Sequence, residues 1–184
     1  MSSGFIPEIT TTVKVTTNSE GLDNSIKLLE ENEITNLVFN DVKDYLNNVK
    51  DELDRVSDEY AFAVSEELSS TQQQIISMHH NFTGMMMNSV DISKDGNAQY
   101  LVGNTARSVD GFPYPLAIET GRREVVPVEA KVLRWWTSPY FSGEVVFAKR
   151  SKAVSADPFV QPSINTAMEI LEPLLEDHFG TLFK

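Results

Sequence analysis

The chain of 184 residues contains no cysteine. A disulfide, a thiolate zinc site and a cysteine nucleophile are therefore excluded, and the redox chemistry of the chain does not indicate secretion. No apolar run approaches the roughly 20 residues that a membrane-spanning helix needs. The N-terminal stretch MSSGFIPEITTT has neither the basic nor the apolar part of a signal peptide. These absences predict a soluble protein that folds inside the cell and does not enter a membrane.

Basic residues are also scarce, since 15 Lys and Arg stand against 27 Asp and Glu and the net charge is -12. Residues 1–100 hold 17 acids and 6 bases, whereas residues 101–184 hold 10 acids and 9 bases. Too few cations are present to coat a nucleic-acid duplex, which argues against ordinary DNA or RNA binding. The exception is residues 122–152, where seven bases meet three acids. This segment is suited to face an acidic neighbour, including another copy of the chain.

The length and the apolar fraction of 41% fit a single domain, 1–184. The N-terminal arm, 1–18, contains a predicted strand at EITTTVKVT, where apolar and polar residues alternate. A helical part at 22–88 begins with a short helix that Asp23 or Asn24 would cap and that includes Leu28 and Leu29. A further helix start is predicted near Asn32.

A long helix is predicted from Thr35 to about Leu68, because this stretch has no Gly or Pro. Its apolar residues recur at alternating steps of four and three and form a seam along one face: Val42, Leu46, Val49, Leu53, Val56, Tyr60 and Ala63. The seam has two interpretations, packing against the chain's own sheet or against a helix of a neighbouring subunit. Acidic residues, Asp58 among them, crowd the other faces, which is typical of a solvated surface.

A second helical segment is predicted to start at a cap formed by Ser69 or Ser70 and to reach residue 88, with Gly84 as the expected point of a break. The remaining part, 89–184, is predicted to be a sheet followed by a helix. A hairpin turns at Lys94–Asn97, because Asp-Gly favours a tight turn. Strands follow in EVVPVEAKVLRWW and GEVVFAKR, with TSPYFSG as a loop between them. DPFVQPSINTAMEILEPLLEDHF predicts an amphipathic closing helix. The predicted fold class is therefore α+β.

Metal, cofactor and nucleophile motifs are missing from the sequence. His79 and His80 are adjacent and would point about 100° apart on a helix, so they cannot ligate one metal from a single face. There is no HExxH motif, no G-x-S-x-G elbow, no Walker loop and no G-x-G-x-x-G. We therefore predict no metal and no cofactor.

The stretch GFPYPLAIETGRR, residues 111–123, is the best candidate for a site. Arg122 and Arg123 are suited to bind a carboxylate or phosphate, and Glu119 would serve as a base if it were buried and desolvated. This predicts one candidate function, a small hydrolase or anion-binding enzyme. The competing interpretation is that Glu119 forms ion pairs with Arg122 or Arg123, within or between subunits.

Six pieces in the second half of the chain, considered together, resemble the head-tail joining family of tailed bacteriophages, the neck or tail-completion proteins of the gene-product-ten type. In that family a Tyr leads to an acid, a Gly and often a Thr or Arg, and an aromatic pair, a Gly with a vFAK strand and PF-x-x-P follow. The pieces here cover roughly residues 80–175 and are TGMMMNSV, QYLVGNTA, YPLAIETGRR, EAKVLRWW, GEVVFAKR and ADPFVQPSINTAMEIL. The sequence departs from the family in IETG, which replaces a more usual aromatic-Gly-Thr ending, and in its longer acidic helix.

The resemblance implies a twisted antiparallel sheet packed by helices and no enzyme activity. It implies a virion protein, a ring subunit with six- or twelve-fold symmetry at the neck. Its partners would be other copies of itself, the head connector or portal adaptor, and the tail tube or terminator. DNA would pass through the lumen without specific binding, repelled by the acidic first half. The stretch 111–123 would then be a strand and loop edge, and the expected interface residues are Tyr114, Glu119, Gly121, Arg122, Arg123, Trp135, Trp136 and Phe159.

A third candidate function depends on the long helix alone. A seam of this length is also found in regulatory coiled-coil adaptors. That function predicts that the isolated helix dimerises.

Overall fold

The computed structural model describes residues 9–31, 40–79, 84–107, 113–128, 130–136 and 145–180. The fold is α+β, as predicted. Strands β1, β3 and β2 form one sheet in that order, and strands β4 and β5 form another. In chain order the elements are β1 (Ile9–Lys14), α1 (Glu20–Glu31), α2 (Asn40–His79), a 3-10 turn (Met87–Ser89), β2 (Val90–Gly96), β3 (Gln99–Asn104), α3 (Tyr114–Thr120), β4 (Leu133–Trp136), β5 (Val145–Ala148), α4 (Val160–Met168) and α5 (Leu171–Phe179).

The predicted hairpin and the predicted N-terminal strand meet in the three-stranded sheet. Strands β2 and β3 are joined by Asn97 and Ala98, and Ala98 adopts a positive φ of 47°. The amide of Val15, just after β1, donates to the carbonyl of Ala98 at 3.0 Å. At the other end of the pair, Gly103 lies against Thr10, where a Cβ would be only 2.9 Å from the threonine methyl. Strand β1 therefore runs antiparallel to β3.

Helix α1 begins earlier than the cap at Asp23 or Asn24 predicts. The side-chain oxygen of Asn18 accepts the amide of Glu20 at 3.1 Å, and the hydroxyl of Ser19 donates to Asp23 at 3.1 Å. Asn18 and Ser19 are therefore the residues that start the helix, and Asp23 lies within its first turn, where an acid favours the helix dipole.

The prediction that a new helix starts at Ser69 or Ser70 is wrong, because α2 is continuous to His79. Serine does not interrupt this helix. The hydroxyl of Ser57 donates to the carbonyl of Leu53 at 2.6 Å, and that of Ser65 donates to Ala61 at 2.7 Å. A hydroxyl bonded back to its own helix can be buried there without a cap, and Ser69 is itself buried. The predicted start at Thr35 lies outside the described residues.

The structure divides into two compact units. One comprises the described residues within Met1–Thr11, Ser69–Asp91 and Gly103–Thr166, and the other those within Thr12–Leu68, Ile92–Val102 and Ala167–Lys184. We call them the first and the second unit. The prediction of a single domain stays a prediction.

The core of the second unit shows how α2 packs against the sheet. Ala61 of α2 forms a buried cluster with Ala98 and Tyr100 of the hairpin, and Val15 and Ile92 pack against this cluster. Helix α2 therefore packs against the chain's own sheet, but through Ala61 and not through a residue of the predicted seam.

The closing helix is two helices, α4 and α5, because of Pro173. This residue is the third of α5, and a continuous helix would need its missing amide and would press its ring against the carbonyl of Glu169. In the second unit, α5 is held by Tyr60, whose hydroxyl donates to the carbonyl of Leu171 at 3.2 Å. The ring of Tyr60 also meets those of His178 and Phe179 edge-on.

The sequence predicts that Asp58 lies on a solvated face. In the structure this residue instead connects α2 to the hairpin. Its carboxylate accepts the ammonium of Lys94 at 2.6 Å, the amide of Ala98 at 3.1 Å and the hydroxyl of Tyr100 at 3.1 Å. The bond from Lys94, helped by those from Ala98 and Tyr100, lowers the pKa of Asp58 below its ordinary value of 3.8. One carboxylate thus satisfies a turn amide and fixes the position of two side chains.

We expect Asp58→Asn to reduce the pH dependence of stability. Because the folded pKa of Asp58 lies below its unfolded value, its stabilisation is complete above the unfolded pKa and is lost as the pH falls through the folded value. The variant should lose about 1–2 kcal/mol of unfolding free energy at neutral pH and much less near pH 2. Urea unfolding at a series of pH values measures both. Asp44→Asn, at an exposed position on the same helix, is the control. An equal loss at both pH limits would contradict a role for the charge.

Candidate functional site

The centre of the candidate site is a helix, not the strand and loop edge that the sequence predicts. Helix α3 covers Tyr114–Thr120, and Pro115 lies in its first turn. A proline there lacks only an amide that the helix leaves unbonded, so its ring favours the helix start instead of blocking it. The helix ends at Gly121. Residues 111 and 112 of the same stretch lie outside the described residues.

Glu119 uses its carboxylate to start another helix. Its Oε2 accepts the amide of Phe159 at 2.9 Å and that of Val160 at 3.2 Å, at the first residue of α4. Next to them, the carbonyl of Ile118 accepts the amide of Asp157 at 2.9 Å. The end of α3 therefore satisfies two amides at the N-terminal end of α4, where amides have no partner within the helix and a negative charge is favoured, and a third amide in the segment just before it.

We expect Glu119→Ala to lower the unfolding free energy by about 1–3 kcal/mol, because two amides lose a charged acceptor. Glu119→Gln keeps an oxygen at the same place and should lose roughly half as much. Chemical denaturation followed by circular dichroism measures the difference. Glu124→Gln, at an exposed position nearby, is the matched control and should stay within about 0.5 kcal/mol of the parent. Equal stability of Glu119→Ala and the parent would contradict the capping role.

Glycine is the only residue type that fits at position 121, directly after α3. Its φ is +74° and its ψ is 175°, a region that is accessible essentially to glycine alone. A Cβ at this position would lie 2.8 Å from the amide nitrogen of Ala156 and 2.9 Å from the carbonyl oxygen of Val154. The glycine therefore permits both the turn and a close backbone approach to residues 154–156.

Arg122 continues this contact through its backbone and its side chain. Its amide and carbonyl each bond to Val154 at 2.8 Å. Its guanidinium donates to the hydroxyl of Ser151 at 2.8 Å and to the carbonyl of Lys152 at 3.3 Å. Glu119 and Arg122 thus have different partners, and the ion pair that the sequence suggests is not formed between them within the chain. Arg123 is exposed.

The remaining predicted interface residues differ in position. Phe159 has no exposed surface, so its side chain fills the interior and is not available to a partner. Tyr114 is 40% exposed at the start of α3. Trp135 and Trp136 lie on β4 opposite Val146 and Val145 of β5, and their side chains lie outside the description.

An open recess of about 170 Å³ lies beside α3, lined by Pro113, Leu116, Ala117, Thr120, Gly121 and Arg122. Its lining is mainly apolar, with one guanidinium and the hydroxyl of Thr120, which donates to the carbonyl of Leu116 at 2.7 Å. These lining residues include no carboxylate or imidazole to serve as a base. The recess is therefore suited to receive an apolar group and not to perform acid-base chemistry.

The described part of the chain includes no helix that is both long and apolar enough to cross a membrane. Within the same residues, His, Asp and Glu form no group of three that could hold a metal ion. Comparisons of the chain with protein-family models, with curated proteins and with solved structures find no match.

Proposed function

We propose that this protein is a virion structural protein, a ring subunit of a tailed-phage neck that joins the head connector or portal adaptor to the tail. The observation that carries the proposal is the contact between Glu119 and the amides of Phe159 and Val160. It brings together the pieces YPLAIETGRR and ADPFVQPSINTAMEIL, on which the family resemblance depends. Residues that resemble a family motif in order and spacing thus form one structural assembly.

The same contact weakens the enzyme alternative. A general base needs a carboxylate that can take a proton from a substrate, but Oε2 of Glu119 already accepts two backbone amides. The guanidinium of Arg122 donates to Ser151 and Lys152. The two groups that would make up the active site thus stabilise the fold, which favours a protein whose task is to hold a shape.

Electron microscopy of particles from a phage lysate in which this gene is disrupted tests the proposal. We expect full heads separate from tails, or tails of abnormal length, because a missing neck subunit leaves the junction incomplete. The gene supplied in trans should restore joined virions. A conservative variant such as Gly21→Ala should restore them equally, because a Cβ at position 21 meets nothing within 4 Å. This variant serves as a control for the complementation. Normal joined virions without the gene would overturn the proposal.

A further inference from the structure

One face of the β4–β5 pair in the first unit is both apolar and basic. Arg134 and Phe147 are directly opposite each other in the antiparallel register, and both are exposed, Phe147 by 61%. One residue beyond the paired ends, Val132 and Lys149 are exposed as well. We call these four residues the ribbon face.

The ribbon face has the properties of a surface that is covered in the working protein. In the described residues, β4 and β5 pair only with each other. Val126 and Val128 in the segment before β4 are exposed too, the latter by 96%. Exposed apolar groups clustered among cations are typical of a binding surface for a protein with acidic and apolar side chains.

The second unit of the chain has a surface of that chemistry on the first turns of α2. Asp41, Asp44 and Asp51 are exposed there, and Tyr45 between them is 66% exposed. Lys43 forms a salt bridge with Glu30 at 2.8 Å and Lys50 forms one with Asp23, so neither salt bridge uses an aspartate of this group. We call Asp41, Asp44, Tyr45 and Asp51 the acidic stripe.

We propose that the ribbon face of one copy of this chain docks onto the acidic stripe of a second copy. Phe147 and Val132 would pack against Tyr45, while Arg134 and Lys149 would meet the aspartates. The two surfaces differ, so the contact is head-to-tail, and repeating it around an axis gives a ring when the rotation closes. The inference rests on the proposed function for this closure, whereas the pairwise contact is argued from exposure and charge alone. The contact would place the first turns of α2 against a neighbouring copy, so that only acidic residues further along the helix would face the lumen.

Exchange of charge between the two surfaces tests the contact. One full-length variant carries Arg134→Glu and Lys149→Glu, and the other carries Asp41→Lys and Asp44→Lys. We expect the parent to self-associate at low ionic strength and to dissociate as salt screens the charges. Each variant alone should associate at least tenfold more weakly. Mixing the two variants should restore association, because each then offers the charge that the other needs. Sedimentation velocity and native mass spectrometry measure all four samples.

Matched controls change the same charge elsewhere. Lys14→Glu with Lys27→Glu, and Glu66→Lys with Glu169→Lys, alter exposed residues outside both surfaces and should leave association within about twofold of the parent. Circular dichroism confirms that every variant is folded. A parent that stays monomeric at low salt overturns the inference, as does a mixture that stays dissociated. If the ribbon face instead binds duplex DNA in a mobility-shift assay and the parent does not self-associate, the partner is nucleic acid and the inference is wrong.

The outcome is separable from that of the neck proposal. Charge-dependent association with normal virions in the gene disruption would keep this interface and remove the neck function. Separate heads and tails together with unchanged association in both variants would keep the neck function and remove this interface.

Discussion

Gly121→Ala is expected to lower the unfolding free energy by about 2–4 kcal/mol, a large effect for one methyl group. Two costs add. Alanine at φ +74° and ψ 175° is strained, and its Cβ would lie within 3 Å of backbone atoms of Val154 and Ala156. The carbonyl oxygen of Val154 belongs to the bridge between Arg122 and Val154, so relieving that clash would pull the pairing apart. Thermal and urea unfolding of the purified chain measure the loss, which corresponds to a fall in Tm of roughly 4–16 °C.

Gly21→Ala is the control for this substitution. Gly21 lies in the first turn of α1, and a Cβ there meets nothing within 4 Å. Alanine is the better helix former, so this change should be neutral or stabilising by up to about 1 kcal/mol. If the two alanine variants were equally stable, neither the backbone strain nor the close approach at Gly121 would be real.

Phe159→Ala is expected to be still more destabilising, by about 3–5 kcal/mol, because it empties the space of a large buried side chain. Phe159 has no exposed surface, and among the fully buried side chains of the described residues it is the largest. Its amide also donates a hydrogen bond to the carboxylate of Glu119, so a shift of the backbone into the cavity would strain the start of α4. Calorimetry or urea unfolding measures the loss.

Two further substitutions show whether the cost at Phe159 is one of volume. Phe159→Leu retains most of the apolar volume and should cost about 1–2 kcal/mol. Phe147→Ala removes the same side chain from an exposed position and should cost less than about 1 kcal/mol in the isolated chain. A similar loss at positions 147 and 159 would mean that Phe159 is not part of a core.

Much of the fold could be predicted from local patterns. The strand at the N-terminus, the long helix, the strand ending at Trp136 and the presence of a hairpin follow from alternation and the absence of breakers. The hairpin turns at Asn97 and Ala98, however, and not at the Asp-Gly pair, which belongs to β2. The errors have a common physical cause. Ser69 and Ser70 suggest a cap because serine competes for backbone groups, but a serine bonded within its own helix gives the same sequence. The strand and loop edge predicted at 111–123 is wrong for a similar reason, because a proline at the start of a helix, such as Pro115 in α3, favours that helix.

The candidate site was predicted by position but not by role. Glu119, Gly121 and Arg122 do converge on one place, together with residues 151–160. Their partners are backbone groups 30 to 41 positions away, and no local period records such contacts. The available signal was indirect. Helix α4 begins in DPFVQP, where Phe159 has no side-chain oxygen to accept the first amides, so an acceptor from elsewhere in the chain was to be expected. The solvated face predicted for Asp58 is wrong for the same reason, since its turn partner lies 40 residues further along.

The capping of α4 by Glu119 also has a consequence for the order in which the chain folds. Helix α4 has nine residues, fewer than an isolated helix needs to persist in water. The groups that complete its first turn are supplied by α3, 40 positions earlier. During synthesis this segment therefore emerges without stable helical structure and acquires it when it docks against α3. Helix formation here is a late event that depends on long-range closure of the chain, and a peptide of residues 157–180 alone should be largely unfolded.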